Sequence, residues 1–599
     1  MAVRPTGVNA AHVIRCRQGS FWFAASEFGV PAFNMAASGR LKGTAMRGGQ
    51  VFMEGLVAHG VDCIFGNPGT TENSLLDRLI DTPQIQYYVT LHEGIAVCAA
   101  SFYAQASGKT GIVNLHVAPG LGNGIGMMYG ALKANSPLIV TAGQQDTRMR
   151  MREPLLSHDL VAMAEPVAKW SAEPRSADEI GPMLRRAFKV ANEPPRGPVF
   201  MSLPVDVMEQ ETDIGPSTSG DLMYAAIADV AGVAQLANAL ASSAAPAIVI
   251  GDDVATEGAS AALVRLAEAT GASIWQQGLR TQASFPNSHP NYCGRLPFEA
   301  AGIRKALTPH DLILLTGGPF FEEIWFDAAA ALPDSAIVIQ LESNYQRIAL
   351  NFSPDLGLIG HLRATLERLL TDIETLGSAT LRDAATTRNA LLAEQQLNAR
   401  ESARDRLARQ GDALPMTPAR AIHEMSQVLP ERTIVVDETI TASLEVSTQF
   451  EYNEPGDFFA GAGGGIGQGI AGAVGVQVAQ PDRRVLALSG DGSAMYSIQA
   501  LWTAVHHQLP IVFVILANRE YRILKHNLDI YRQRFNAGSN KPYPHMDLTS
   551  PTLGFPALAQ GMGMAAEAVT NPGEIGPALQ RAFAANAPYL IEVEISGKP

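Results

Sequence analysis

The sequence predicts an α/β protein built from three doubly wound parallel-sheet domains. Three observations carry this expectation. Short apolar runs alternate with helix-forming stretches along most of the chain, the order expected of parallel strands joined by crossover helices. The runs are continuous in Val, Ile and Leu rather than alternating, as strands covered on both faces require. The length, 599 residues, exceeds what a single core usually holds and suits roughly three or four domains.

Residues 1–45 carry Arg4, Arg15, Arg17, Arg40 and Lys42 against a single acid, Glu27, without a clear period. They read as an extension outside the folded unit, with Met46 a natural first residue. An Arg-rich, acid-poor targeting peptide is the alternative. Residues 46–208 form the first domain, with strands in VDCIFG, IQYYVT, GIVNLHV, SPLIVTAG and PVFMSLP. The polar, Gly-, Pro- and Ser-rich stretch 209–221 reads as a linker. A second α/β unit, 222–374, contains APAIVIG, DLILLTGG and AIVIQLE. Residues 375–415 are charged and helix-prone, a solvated helical connector. The third unit, 416–599, runs through TIVVDE, VLALSGDG, IVFVILAN and PYLIEVEI.

Composition is that of an ordinary globular chain, 47% hydrophobic and 17% charged. A net charge of −14 argues against nucleic acid or an anionic membrane as partner. No apolar run reaches the 18 or so residues that a spanning helix needs. Cys16, Cys63, Cys98 and Cys293 lie far apart without CxxC spacing. They fit reduced, mostly buried residues of a cytoplasmic protein better than a disulfide framework or a zinc site.

The densest chemistry lies in Val485–Asn518, VLALSGDGSAMYSIQALWTAVHHQLPIVFVILAN. It reads as a buried strand, a Gly-Asp-Gly turn, a helix, a second strand and an asparagine. One βαβ unit brings Asp491 and Asn518 to the carboxyl ends of two parallel strands. Their oxygens can hold Mg²⁺, which favours few protein ligands plus phosphate. Gly490 and Gly492 let backbone N–H groups approach a phosphate, and the helix from Ser493 aims its positive end there. Gly-Asp-Gly is also an ordinary turn; the flanking strand, helix and asparagine favour the clamp.

This arrangement resembles the thiamine diphosphate (ThDP) signature of the decarboxylase and acetolactate synthase superfamily. The segments FGNPGTTE, LHEG, FYAQASGK, VNLHVAPGLGN, NSPLIVTAGQQ, GDGSAMYSIQALWTA and Ser288-His289-Pro290 are similar, in order, to those of the benzoylformate decarboxylase family. The resemblance spans residues 48–597. It implies that the domains, in order, are pyrimidine-binding, middle and diphosphate-binding. It implies Asp491, the Asn518 side chain and the Glu520 carbonyl as Mg²⁺ ligands. It places Pro68, Gly69, Thr441, Gly490, Gly492, Ser493, Tyr496 and Tyr521 around the cofactor. It also implies sites shared between the subunits of a homodimer, itself within a tetramer.

Glu93 opens a nearly all-apolar helix after a strand. An acid in a first turn can simply be favoured by the helix dipole. In the resembling family such a carboxyl hydrogen-bonds the cofactor's aminopyrimidine and promotes its imino tautomer, a role suited to apolar surroundings. His116 ends a strand at the edge where α/β proteins place sites; a histidine satisfied by a carbonyl is the plain alternative. His289 lies in the polar loop SFPNSHPNYCG and can equally be a solvated loop residue. The resemblance makes both histidines proton-transfer groups, for which imidazole titrates in a suitable range. Thr70 or Thr71 can cap the helix near Glu72. By resemblance Thr70 positions the substrate carboxylate and Glu72 reaches the cofactor region through water.

The run FFAGAGGGIGQGIAG contains a literal GxGxxG, Gly467 to Gly472, the rival signature of a dinucleotide site. The acid expected about 20 residues later is missing. The resemblance instead gives Gly464 as acceptor for the aminopyrimidine's amino group and Ile466 as the wedge that bends the cofactor. His506 and His507 fit helix-end or interface roles.

The expectation is a ThDP- and Mg²⁺-dependent decarboxylase of a 2-oxo acid, aromatic and benzoylformate-like. A carboligase resembling acetolactate synthase and a non-catalytic ThDP-binding paralogue are the alternatives. Arg522, His526, Asn527 and Ile440 depart from the residues the resemblance implies, which leaves the substrate open.

Overall fold

A computed structural model describes residues 45–597 except 221, 223, 323, 411, 412 and 539. The expectation for the N-terminal extension, and Cys16 with it, falls outside the described residues.

Three six-stranded sheets, each parallel throughout, form the three domains. The first contains β1 (Cys63–Gly66), β2 (Gln86–Val89), β3 (Gly111–Leu115), β4 (Leu138–Gln144), β5 (Ser171–Ala172) and β6 (Pro198–Pro204), in the order β2-β1-β3-β4-β6-β5. The middle sheet contains β7 (Pro246–Ile250), β8 (Ser273–Gln276), β9 (Tyr292–Arg295), β10 (Leu312–Thr316), β11 (Ile337–Glu342) and β12 (Leu356–Ile359), in the order β9-β8-β7-β10-β11-β12. The third contains β13 (Ile434–Glu438), β14 (Phe458–Ala460), β15 (Val485–Gly490), β16 (Ile511–Ala517), β17 (Ala565–Val569) and β18 (Tyr589–Glu594), ordered β14-β13-β15-β16-β18-β17. The first and third sheets therefore share one topology. In both, the order reverses beside the first strand, where doubly wound sheets open a crevice at their carboxyl edge.

The stretch 209–221 is more than a linker at its start. Glu211–Thr212 pairs antiparallel with Met46–Arg47, and Arg47 bridges to Glu209 at 2.7 Å. The connector contains a long helix, Ala379–Gln410. It straps the middle domain through Arg388, whose guanidinium donates to the Thr270 carbonyl.

Two helices weld the first and third domains together. Glu93–Ser107 and Gln468–Ala479 are apolar on almost every face, so both must be buried, and both share one core. Their crossing depends on glycine. A Cβ at Gly475 would lie 1.9 Å from the Ala99 carbonyl oxygen, and one at Gly472 would lie 2.7 Å from the Phe102 ring. These glycines of the GxGxxG run and its continuation serve helix contact, which accounts for them without a dinucleotide.

His507 lies at the same domain boundary. Its Nε2 accepts the Val89 N–H at 2.9 Å, and its ring packs on Tyr88 at 4.8 Å. Burial, then the neighbouring His506, holds its pKa down at about 4. The unfolded chain takes up this proton near 6.5, so between pH 6.5 and 4 the unfolded state binds more protons and stability falls as the pH is lowered. Melting temperatures read across that window should drop for the native protein. A His507→Gln variant, which keeps an acceptor but cannot titrate, should show a flatter profile. The half-buried ring limits the effect to a few degrees. Identical profiles would refute the assignment.

Candidate functional site

Two clusters form at the carboxyl edges of the first and third sheets. In the first, Glu93 is the first residue of the helix that follows β2 and is 8% exposed. Its two carboxylate oxygens accept from the Asn67 amide at 3.1 Å and the Asn123 amide at 3.0 Å. His116 follows β3 and precedes the helix Val117–Lys133. Its Nδ1 is 2.8 Å from Glu72 Oε2 and 3.3 Å from the Thr71 hydroxyl. Glu72, 3% exposed, also accepts from the N–H of Gly69, the Thr71 hydroxyl and the N–H of Gly143. Four donors thus converge on one buried carboxylate, which fixes the imidazole orientation and leaves Nε2 facing away. The contact between Glu72 and His116 is direct.

Gly120 sits between the Glu93 and His116 side chains. A Cβ there would come 3.3 Å from Glu93 Oε1 and 3.6 Å from His116 Cβ. Gly69 approaches His116 so closely that its Cβ would meet the ring at 2.1 Å. Neither Thr70 nor Thr71 caps a helix with its side chain; Thr71 bonds Glu72 instead, because the 3₁₀ turn Thr70–Glu72 precedes the helix. Thr70 is exposed beside Pro68 and Gly69.

The third domain gathers the other predicted residues. Asp491 follows β15 and is 3% exposed. Its oxygens accept the N–H groups of Gly492 at 2.8 Å and Arg519 at 2.7 Å. Burial nonetheless pushes its carboxyl pKa upward, leaving a buried anion that suits a bound cation. Asn518 follows β16, and its side-chain oxygen accepts the Glu520 N–H at 3.0 Å. The carbonyls of Arg519 and Tyr521 accept backbone N–H groups, whereas that of Glu520 accepts none among the described residues. The Tyr521 ring lies over Gly492, where a Cβ would be 2.4 Å away, and Tyr496 lies against Gly467 at 2.6 Å from the equivalent atom. The Gly490–Ser493 turn, the Asn518 loop and the glycine run therefore meet. Gly464, at φ +73, is exposed, with half-exposed Ile466 and exposed Thr441 in neighbouring segments.

Backbone strain marks both clusters. Val117 beside His116 has φ +40, Ile440 beside Thr441 has φ +53, and Arg519 beside Asn518 has φ +61. For β-branched residues this region is an outlier costing on the order of 1–3 kcal/mol each.

His289 stands apart. It precedes β9 in the middle domain, where its Nδ1 accepts the Asn291 N–H at 3.2 Å and its Nε2 is 3.5 Å from Glu268. The neighbouring Asn287 anchors this loop to the third domain by accepting the Tyr452 N–H at 2.8 Å. Within one chain His289 does not join His116.

The two clusters also lie apart. Glu93 and His116 flank Gly120 near the start of the helix Val117–Lys133, whereas the chain's own glycine run packs at its far end. There a Cβ at Gly130 would come 3.3 Å from Gln468 Oε1, and one at Gly463 would come 3.1 Å from the Tyr129 ring. Ten helical residues place these contacts about 15 Å apart.

The oxygen donors of the third domain, the open glycine run and the buried glutamate of the first together fit a diphosphate cofactor with a hard cation. No group of three or more His, Cys, Asp or Glu able to hold a metal occurs among the described residues. A clamp made from one carboxylate, an amide and a carbonyl is consistent with that. No helix of the described residues is long and apolar enough to cross a membrane.

Comparison with known proteins defines the class. Residues 46–163 match the N-terminal TPP binding domain of thiamine pyrophosphate enzymes, residues 233–369 their central domain and residues 441–593 their C-terminal TPP binding domain. The chain belongs to this family, and thiamine pyrophosphate is the same compound as ThDP. It is 35% identical to benzoylformate decarboxylase of Pseudomonas aeruginosa, covering 89% of this chain and 96% of that one. An acetolactate synthase large subunit of Mycobacterium tuberculosis is 26% identical over 92% of this chain and 95% of that one. The structure of a thiamine diphosphate-dependent 4-hydroxybenzoylformate decarboxylase from Rhodococcus jostii superposes with a TM-score of 0.80 at 30% identity, covering 92% and 99% of the two chains.

Asn67, Asn123, Glu438 and Gln468 went unnoticed in the sequence. Asn123 had a signal: with His116 and Gly120 it recurs at helical spacing on one face.

Proposed function

We propose that this protein is a ThDP- and Mg²⁺-dependent decarboxylase of aromatic 2-oxo acids, working as a homodimer or a tetramer of such dimers. The observation that carries this reading is the pairing, across Gly120, of the Glu93 carboxylate with a histidine held by Glu72. The cofactor, when bound, supplies the carbon nucleophile and the electron sink for loss of CO₂.

The chain's residues supply binding, orientation and protons. Asp491, the Asn518 side chain and the Glu520 carbonyl would hold Mg²⁺, with Gly490, Gly492, Ser493 and Thr441 receiving the diphosphate. Gly464 and Ile466 would seat the aminopyrimidine, with Tyr496 and Tyr521 closing the cradle. Glu93, fixed by Asn67 and Asn123, would bond the ring nitrogen of the aminopyrimidine. His116 would move protons through its free Nε2, and Thr70, beside Pro68 and Gly69, would meet the substrate carboxylate. A seat for His289 in the same site requires a second copy.

The separation of about 15 Å between the first-domain cluster and the chain's own glycine run supports two composite sites, each built from the first domain of one copy and the third of another. A two-fold dimer meets that geometry.

A carboligase is the second reading, favoured by the likeness to acetolactate synthase and by polar residues beyond Asn518. The test is a panel of 2-oxo acids with ThDP and Mg²⁺, with products identified. Aldehyde and CO₂ from benzoylformate-like acids, at rates well above those for pyruvate, are expected. Acyloin as the main product would overturn the decarboxylase reading in favour of the carboligase.

A further inference from the structure

We propose that Gln468 is a positioning residue, whose side-chain amide moulds the loop 461–467 into the shape that receives the cofactor's aminopyrimidine. The proposal rests on the reading of that loop as the aminopyrimidine cradle.

The loop has little to hold it. Gly461, Gly463, Gly464 and Gly465 are exposed, and no side chain of theirs can pack. Gln468 is 5% exposed and makes a three-point staple. Its Nε2 donates to the carbonyls of Ala462 at 2.8 Å and Gly465 at 2.7 Å, and its Oε1 accepts the Ala462 N–H at 3.3 Å. Both amide protons are used, so the staple fixes the amide's orientation as well as the loop. The fit is tight: a Cβ at Gly461 would lie 2.7 Å from Gln468 Cδ.

The staple is itself anchored. Glu438, at the carboxyl end of β13, accepts the N–H groups of Gln468 at 2.8 Å and Gly469 at 3.0 Å. The Gln468 carbonyl accepts the Cys98 thiol at 3.4 Å. Gly130, from the helix that begins beside His116, closes over Oε1. A buried side chain bonded on three sides is a rigid reference for a glycine loop that cannot choose its own conformation. None of these contacts touches the Gly490–Glu520 clamp, so Gln468 should act on the pyrimidine half of the site alone.

The apoprotein is titrated with ThDP plus Mg²⁺ and, separately, with inorganic diphosphate plus Mg²⁺, followed by calorimetry. Gln468→Met keeps the volume and removes the hydrogen bonds. Gln468→Glu keeps one acceptor and turns a carboxylate toward two carbonyls. Both variants should bind ThDP roughly 10- to 100-fold more weakly and inorganic diphosphate within about twofold of the native protein. Equal ThDP affinity, or equal loss of both ligands, would overturn the proposal. Amide exchange on the native apoprotein covers variants that fail to fold: protection of the Ala462 N–H is expected, and free exchange refutes the staple. A native protein that binds diphosphate but not ThDP, with Ala462 protected, would refute the cradle reading while leaving the staple standing.

Discussion

Glu93→Gln should lower kcat by about 10²–10⁴-fold, the range associated with losing a positioned acid–base group, while the protein stays folded. The arrangement around the carboxylate explains why the fold tolerates the change. Asn67 and Asn123 both turn their NH₂ groups toward Glu93. A glutamine there presents one oxygen and one NH₂, so one asparagine must flip its amide to keep a partner, which a side-chain amide can do at modest cost. The helix keeps its start, because the His92 ring accepts the Gly94 N–H at 3.0 Å independently. Steady-state kinetics at saturating ThDP, with melting temperature as control, checks this. A variant retaining more than about a tenth of native turnover would sink the assignment of Glu93 to the chemistry.

Asp491→Asn should weaken cofactor binding strongly while changing the stability of the apoprotein little. In the apoprotein Asp491 is a buried carboxylate that accepts the backbone N–H groups of Gly492 and Arg519, one on each oxygen. Removing its charge relieves a desolvation cost that the folded state otherwise bears. The NH₂ of the asparagine, however, can accept neither of these N–H groups. One buried N–H left without its acceptor costs about 1–3 kcal/mol, so the two effects oppose and the apo variant should melt within a few degrees of the native apoprotein. The same change takes the sole anionic donor from the proposed Mg²⁺ set, so ThDP affinity should fall at least roughly 100-fold, or about 2.7 kcal/mol. Thermal shift with and without ThDP and Mg²⁺ reads both effects at once. Native protein should gain stability on adding the pair, and the variant should not. A chelator added to the native complex should reproduce the variant. An Asp491→Asn protein stabilised by ThDP as strongly as the native would remove Asp491 from the clamp.

The fold was legible because strands and crossover helices advertise themselves locally. Val485–Gly490 and Ile511–Ala517 are apolar without interruption, and the loops after them carry Asp491 and Asn518. Since these strands are neighbours, with Gly490 opposite Leu516, counting residues was enough to put Asp491 and Asn518 at adjacent strand ends. The first-domain cluster was legible only in part. Glu93 and His116 could be named, but the Glu72 contact could not. It depends on β1 and β3 lying side by side, an outcome of strand order. Gln468 looked like one polar residue within a glycine run. Its role follows from a side-chain conformation that no periodicity encodes.

By itself the sequence determined three parallel-sheet domains and the residue types at their carboxyl edges, because hydrophobic period and turn chemistry act over a few residues. The tertiary structure decided which of those residues touch. It joined Asn67 and Asn123 to Glu93, tied His116 to Glu72, and set the glycine run at the opposite end of the helix Val117–Lys133 from both. Those are contacts between segments far apart in the chain, fixed by strand order and by which small residues let two helices cross. Local sequence patterns carry no record of either.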